Sequence, residues 1–253
     1  MISIVIPVYN NADYLKEALY SALSQEVEKE IIIVDDGSTD GLVSEAVAGL
    51  SGSSRGLVRV IRHDSRMGVA TSRMDGVRAA VGDYVAFLDA DDMWSRNKLE
   101  LQLKKLKKTG APICCTARQI MDEDGSIREK IIHVPGRITL SSMLKTNLIT
   151  CSSVLVKKSS MLAHPMDHDE VQEDYLAWLK IIKAEGPAAG IDEPLSFYRV
   201  VKGSKSYSKI KSAQMTYETY KLFGLKGFDL AKSFAAYALN GVIKHRKQDW
   251  KRG

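Results

Sequence analysis

Three carboxylates fall within four residues at Asp89-Ala90-Asp91-Asp92. Packed this closely they repel one another unless they share a cation, and a divalent ion bridging them to a diphosphate would supply it. Hard oxygen ligands suit Mg²⁺ or Mn²⁺ rather than zinc. The same run can also be a turn, with Asp92 or Ser95 capping the next helix. A second acidic run, Asp35-Asp36-Gly37-Ser38-Thr39-Asp40, offers carboxylates that can accept hydrogen bonds from a base or a ribose. Gly37 lets the backbone come close. Here too a turn is the alternative, with Ser38 or Asp40 as the cap. A third acidic pair, Glu173-Asp174, opens a stretch with Tyr175, Trp178, Leu179 and Ile182 at helical spacing. Taken alone it reads as an acidic first turn, which the helix dipole favours.

Such groups act only if the chain delivers them to one place. Residues 3–8 form a short β-branched apolar run, which predicts a buried strand. Leu15, Ala18, Leu19, Ala22 and Leu23 share one helical face. Residues 30–34 predict a second buried strand, stopped by the first acidic run; a helix follows through 47, then a Gly/Ser-rich turn at 51–56. A third strand is expected at 57–61, a helix at 69–80 ended by Gly82, and a fourth strand at 83–88, stopped by the 89–92 cluster. Alternating strands and helices imply crossover units and a mostly parallel sheet with helices on both faces. Ligands in such sheets sit beyond the carboxyl ends of the strands, where both acidic runs fall. The second half is less regular. It predicts a lysine-rich helix at 98–108, strand-like runs at 113–120, 126–133 and 152–156, a helix at 172–183, an extended segment at 194–200 and two closing helices at 212–223 and 229–244. There is no internal repeat and no low-complexity linker.

The chain has 253 residues, enough for one large domain, with 45% hydrophobic and 26% charged residues, as in an ordinary globular protein. Its net charge of +5 is unevenly spread: residues 201–253 hold twelve lysines and arginines against three acids, a charge of +9, which leaves −4 on the rest. A basic C-terminal segment suits an anionic membrane surface or another acidic partner, or is a solvated lysine-rich surface. Cys114, Cys115 and Cys151 are an odd set without metal spacing, which argues against a disulfide framework or zinc site and predicts a reducing, cytoplasmic compartment. The N-terminal apolar run is too short for a signal peptide, and no segment reaches the roughly 20 apolar residues of a membrane span. The expected setting is cytoplasmic, at most on a membrane surface.

The runs SIVIPVYN at 3–10, VDDGSTD at 34–40, RMGVATSRMDG at 66–76, GDYVAFLDADD at 82–92 and ED at 173–174 occur in one order and spacing. Together they resemble family 2 inverting glycosyltransferases over roughly the first 200 residues. The resemblance implies a Rossmann-like α/β domain of the GT-A type over 1–200, with a nucleotide-binding half at about 1–110 and an acceptor half at about 111–200. A basic loop and C-terminal helices would occupy 201–253. It further implies that Pro7, Tyr9 and Asp36 frame the nucleobase and ribose, with Asp35 beside them, and that Arg73 reaches the nucleotide. Met74-Asp75 stands here where the family usually has Asn. Asp91 and Asp92 would meet the ribose and a diphosphate carrying Mn²⁺ or Mg²⁺, supported by Asp89. Asp174 matches the family's catalytic base, which takes the proton of the acceptor hydroxyl in a single displacement; Glu173 would orient it or bind acceptor. The stretch 198–206 resembles the family's closing segment, a basic loop that folds over the diphosphate.

The resemblance implies a nucleotide-sugar donor, UDP-linked or dTDP-linked, and a glycan or lipid-linked saccharide acceptor in surface polysaccharide synthesis. The His164–Glu170 run fits no firm metal-ligand spacing and reads as a loop before the base. Trp94 is either a sugar platform or a core residue. The last helix carries an apolar stripe and then Lys244, Arg246, Lys247, Trp250, Lys251 and Arg252, which suits peripheral membrane contact or a packed helix with a basic tail. A nucleotidyltransferase would need a glycine- and lysine-rich loop after the first strand, where this chain has Tyr9-Asn10-Asn11-Ala12-Asp13. A degenerate nucleotide-binding module would have eroded the acidic set, which is intact. Nucleic acid is excluded as a partner, since the basic excess is late and not interleaved with RNA-binding aromatics.

Overall fold

The computed structural model describes residues 1–10, 13–201 and 209–249. The first strand, β1 (Ile2–Val8), is buried at every position. Such unbroken burial belongs to a strand covered on both faces. It pairs in parallel with β2 (Lys29–Asp35) on one side and β4 (Tyr84–Phe87) on the other, and β3 (Val58–Arg62) runs parallel to β2. The crossovers are α1 (Leu15–Leu23), α2 (Leu42–Ala48) with the short α3 (Ser53–Gly56), and α4 (Val69–Ala79). This is the expected parallel core. The predicted turn at 51–56 holds one helical turn.

Beyond β4 the sheet becomes mixed. β9 (Val154–Lys157) is antiparallel to β4 and to β6 (Ile113–Met121). β10 (Ala188–Arg199) is parallel to β6, and the two-residue β5 (Met93–Trp94) closes the edge antiparallel to β10. The order is β3-β2-β1-β4-β9-β6-β10-β5, with β7 (Ile127–Ile132) on β6 and β8 (Arg137–Ile138) on β10. The remaining helices are α5 (Lys98–Thr109), α6 (Leu140–Met143), α7 (Lys158–Ala163), α8 (Glu173–Glu185), α9 (Lys209–Leu222) and α10 (Gly227–Asp249).

Successive strand residues point to opposite faces, so each strand feeds two cores. Val5, Ile32 and Val34 pack with Met74 and Val77 of α4 and Trp178 and Leu179 of α8. Ile4, Ile6, Ile31 and Ile33 pack with Leu15 and Leu19 of α1, Val43 of α2 and Leu99 and Leu106 of α5. α9 and α10 join the first core through Tyr220, Phe223, Phe234 and Tyr237. Tyr175 of α8 fixes that junction, its hydroxyl lying 2.5 Å from the Met143 carbonyl and 3.1 Å from the Tyr220 hydroxyl. No described helix is long and apolar enough to cross a membrane. The loop at 202–206 and the side chains of the basic tail from Lys244 to Arg252 lie outside the described residues.

Candidate active site

β2 and β3 lie on one side of β1 and β4 on the other, so a crevice opens at their carboxyl ends. Past β1, Asn10 takes a left-handed φ of 42° and its Oδ1 accepts the Thr39 N–H at 2.8 Å. That bond draws the loops after β1 and β2 together. Gly37 then has φ +77°, and a Cβ there would lie 2.9 Å from the Ser65 backbone, so only glycine lets the loop after β3 close in. Pro7, Tyr9, Asp36, Arg66, Gly68 and Asp169 line the resulting cleft of about 350 Å³.

Asp36 is nearly buried and holds the wall of this cleft. Its Oδ1 accepts from Met67 N at 2.7 Å and lies 2.8 Å from His63 Nδ1; its Oδ2 accepts from Gly68 N at 2.9 Å. Burial pushes its pKa up, but these hydrogen bonds outweigh it and hold the carboxyl below its ordinary range. Three of about four lone-pair directions are used, leaving one on Oδ2 for a ligand. His63 is a site residue that the sequence pattern does not single out. Its Nε2 lies 3.1 Å from Asp75 Oδ2, and the hydrogen bond to Asp36 is the largest effect raising its pKa above the ordinary value. A lone histidine after a strand gives no sequence signal.

Asp35, expected beside Asp36, faces away from the cleft. Its Oδ1 accepts from Ser38 N at 2.8 Å and its Oδ2 pairs with Arg62 at 2.9 Å. Adjacent strand residues point to opposite faces, and only one of the two can enter the crevice. Arg66 is a further residue without a sequence signal of its own. Its guanidinium lies 4.3 Å from the Tyr9 ring centre, and it makes no ion pair with the described residues. Asp169 belongs to the loop before α8, yet it reaches this wall. Its Oδ1 accepts from Ala70 N at 2.8 Å and caps α4, whose own N-cap is Gly68. A Cβ on Gly68 would lie 2.0 Å from Asp169 Oδ2.

The acidic cluster sits at the end of β4, as expected. Burial and the adjacent Asp89 push Asp91 up to about 6. Asp92, expected to meet the metal, is turned into the fold instead. It is 2% exposed, and its Oδ1 accepts from Arg199 N at 2.9 Å. Arg199, read from sequence as part of a flexible loop, ends β10 and is buried. It donates from Nε to the Asp91 carbonyl at 2.8 Å, from Nη1 to the Glu123 carbonyl at 3.0 Å and from Nη2 to Glu17 at 2.6 Å. The turn at 89–92 is therefore clamped by Arg199, which Glu17 and the Glu123 carbonyl hold in place. Trp94 is a core residue. It is buried, its Nε1 donates to the Ser152 carbonyl at 2.7 Å, and Lys98 Nζ lies 4.0 Å from its ring centre.

Asp174 stands in the first turn of α8 and is partly exposed, with Oδ1 accepting from Tyr175 N at 2.7 Å. Burial and the neighbouring Glu173 push it up to about 7, against the pull of Arg73. Arg73 does not line the cleft with Tyr9 and Asp36. It projects from α4 and bridges two carboxylates, Nη2 to Asp89 Oδ1 at 2.6 Å and Nη1 to Glu173 Oε1 at 2.6 Å. Acidic turn, bridging arginine and the Glu173-Asp174 pair are therefore one connected set. His168 pairs with Glu170 at 2.7 Å, and among the described residues no three His, Cys, Asp or Glu side chains form a metal cage by themselves.

Residues 3–156 match the sequence model of Glycosyl transferase family 2. The chain belongs to that family. Among its relatives, a Bacillus subtilis glycosyltransferase, TuaG, assigned by name to teichuronic acid biosynthesis, is 33% identical over 96% of this chain and 97% of its own. The Escherichia coli UDP-Glc:alpha-D-GlcNAc-diphosphoundecaprenol beta-1,3-glucosyltransferase WfaP is 30% identical over 97% of this chain and 95% of its own. Among solved structures, S. aureus TarS in complex with UDP-GlcNAc superposes with a TM-score of 0.70 at 17% identity, covering 94% of this chain and 71% of that one. The mannosyltransferase PcManGT of Pyrobaculum calidifontis, with GDP-Man and Mn²⁺, gives 0.69 at 21% identity, covering 94% and 68%. The family 2 glycosyltransferase thus has the GT-A fold, with its helical pair α9–α10 packed on the core that α4 and α8 share.

Proposed function

We propose that this glycosyltransferase moves a sugar from a UDP-sugar to a hydroxyl of a glycan or lipid-linked saccharide, with inversion at the anomeric carbon, in surface polysaccharide biosynthesis. The observation that carries the reading is the Asp174 carboxyl, raised to about 7 and joined through Glu173 and Arg73 to Asp89 of the acidic turn. That raised value suits a base working near neutral pH.

The free direction on Asp36 Oδ2 suits the imide N–H of uracil, against a wall made by Pro7 and Tyr9. The acidic turn fits a hard divalent cation in one respect: Asp89 repels Asp91 and raises it, and a shared positive charge relieves that repulsion. Asp91 would hold Mg²⁺ or Mn²⁺, while Asp92 fixes the turn from beneath. The cation supplies charge neutralisation for the departing nucleoside diphosphate. Asp174 takes the proton of the acceptor hydroxyl as that oxygen bonds the anomeric carbon. The bond from that carbon to the diphosphate oxygen breaks, and the electron pair leaves with UDP. Membrane contact through the basic C-terminus belongs to the same proposal, since a lipid-linked acceptor lies at a membrane surface. The name of WfaP supports such an acceptor.

Isothermal titration with UDP, dTDP and GDP, with and without Mn²⁺, tests the donor half. Metal-dependent binding that favours UDP is expected, and equal affinity for GDP would refute the base assignment. Asp174→Asn should keep UDP binding within about twofold while lowering transfer at least ~100-fold, the scale of a lost general base.

A further inference from the structure

We propose that Arg73 is a positioning residue that ties the donor-side turn to the catalytic base, and that it acts on Asp174 by holding Glu173 and by its own charge rather than by binding nucleotide. The inference rests on the reading of Asp174 as the base. Its support is geometric. The guanidinium is 5% exposed and spends one nitrogen on Asp89 and another on Glu173, both at 2.6 Å. These two carboxylates belong to elements 84 residues apart in the chain, the turn after β4 and the first turn of α8. No other described side chain bridges them. The arrangement has a cost: Arg73 Nε is buried without a hydrogen-bond partner.

The charges around Asp174 show what the bridge does. Glu173 is next to it on α8, Asp89 faces it from the turn, Tyr175 N donates to it, the Cys151 thiol, pushed up by burial, lies near these groups, and Arg73 is the cation set against the two carboxylates. In this low-dielectric setting, two bare carboxylates would keep Asp174 protonated and useless as a base. Arg73 neutralises them and keeps proton uptake by Asp174 within reach of neutral pH. It also fixes the distance between α8 and the acidic turn, so that a donor held on the turn and a base held on the helix keep one spacing.

The test is a carboxyl carbon-13 NMR titration of the protein labelled at aspartate, with the Asp174 signal assigned by its loss in Asp174→Asn. In the wild type the midpoint is expected at about 7. Arg73→Met should move it up by at least ~1 unit, a tenfold change in proton affinity, and Glu173→Gln should move it down. UDP affinity by isothermal titration should change less than ~threefold in Arg73→Met. Arg73→Lys keeps the charge without the fork, so it should hold the midpoint within about half a unit while slowing transfer. It also serves if the methionine variant fails to fold, since a midpoint moved as far by lysine would overturn the charge argument. An unmoved midpoint in Arg73→Met, or a loss of UDP affinity as large as the loss of turnover, would overturn the proposal. Full transfer by Asp174→Asn would instead remove the base assignment, a separate failure.

Discussion

His63 Nδ1 lies 2.8 Å from Asp36 Oδ1, so the carboxylate that frames the cleft is itself held by a titratable ring. The other ring nitrogen faces Asp75. With a carboxylate at each nitrogen, the imidazolium is the favoured form, and its pKa is raised by the Asp36 hydrogen bond despite burial. A raised histidine stabilises the fold fully below its unfolded value, and that stability is lost as pH rises through the folded value. Asp36 is depressed, so its contribution is present above the ordinary carboxylate value and lost as pH falls through its lowered one. The pair is therefore most stabilising in mildly acidic to neutral solution. Denaturant unfolding across pH 5–9 should show a decline on the alkaline side that His63→Gln removes, at a cost of about 2 kcal/mol at pH 6.

Arg66 lies over the Tyr9 ring, and both residues line the cleft. A cation over an exposed aromatic ring contributes about 0.5–1 kcal/mol. Arg66→Ala should weaken UDP by roughly two- to fivefold. Titration with uridine separates two contacts. An equal loss for uridine and UDP means that Arg66 acts at the base, and a loss confined to UDP means that it acts at the phosphates.

Arg199 satisfies Asp92 through its backbone and Glu17 through its side chain. Arg199→Met removes a buried cation together with its hydrogen bonds to the Asp91 and Glu123 carbonyls. Glu17 is half-exposed and stays solvated, so the cost is that of the lost hydrogen bonds from a buried donor, about 1–3 kcal/mol. The midpoint of denaturant unfolding should fall accordingly, with no change in slope.

Much of this site is legible in the amino-acid pattern. A buried apolar strand must end in polar turn residues, so the acidic runs at 35–40 and 89–92 mark strand ends by their position alone. Family motifs carry Asp174 to its place in α8. What is not legible depends on direction and distance. Hydrophobic pattern gives a strand at 152–156 but not its antiparallel sense, and a two-residue strand such as β5 has no period to detect. Asp35 and Asp36 look equivalent in sequence, and only the placement of the crevice separates them. Arg199 reads as one cation in a basic stretch because its partners lie at positions 17, 91, 92 and 123. Arg73 is expected at the nucleotide, and no local pattern reveals that its partner Glu173 lies 100 residues away.

The Asp169 cap on α4 bears on how such enzymes are re-engineered. Swapping the C-terminal portion of one relative for that of another is an obvious route to new sugar linkages, with the junction placed after the acidic turn. In this chain such a graft replaces the residue that caps α4 beside the cleft. Donor preference would travel with the graft unless an aspartate were kept at position 169 and a glycine at 68. A recombinant library built on this scaffold should hold those two positions fixed as a pair.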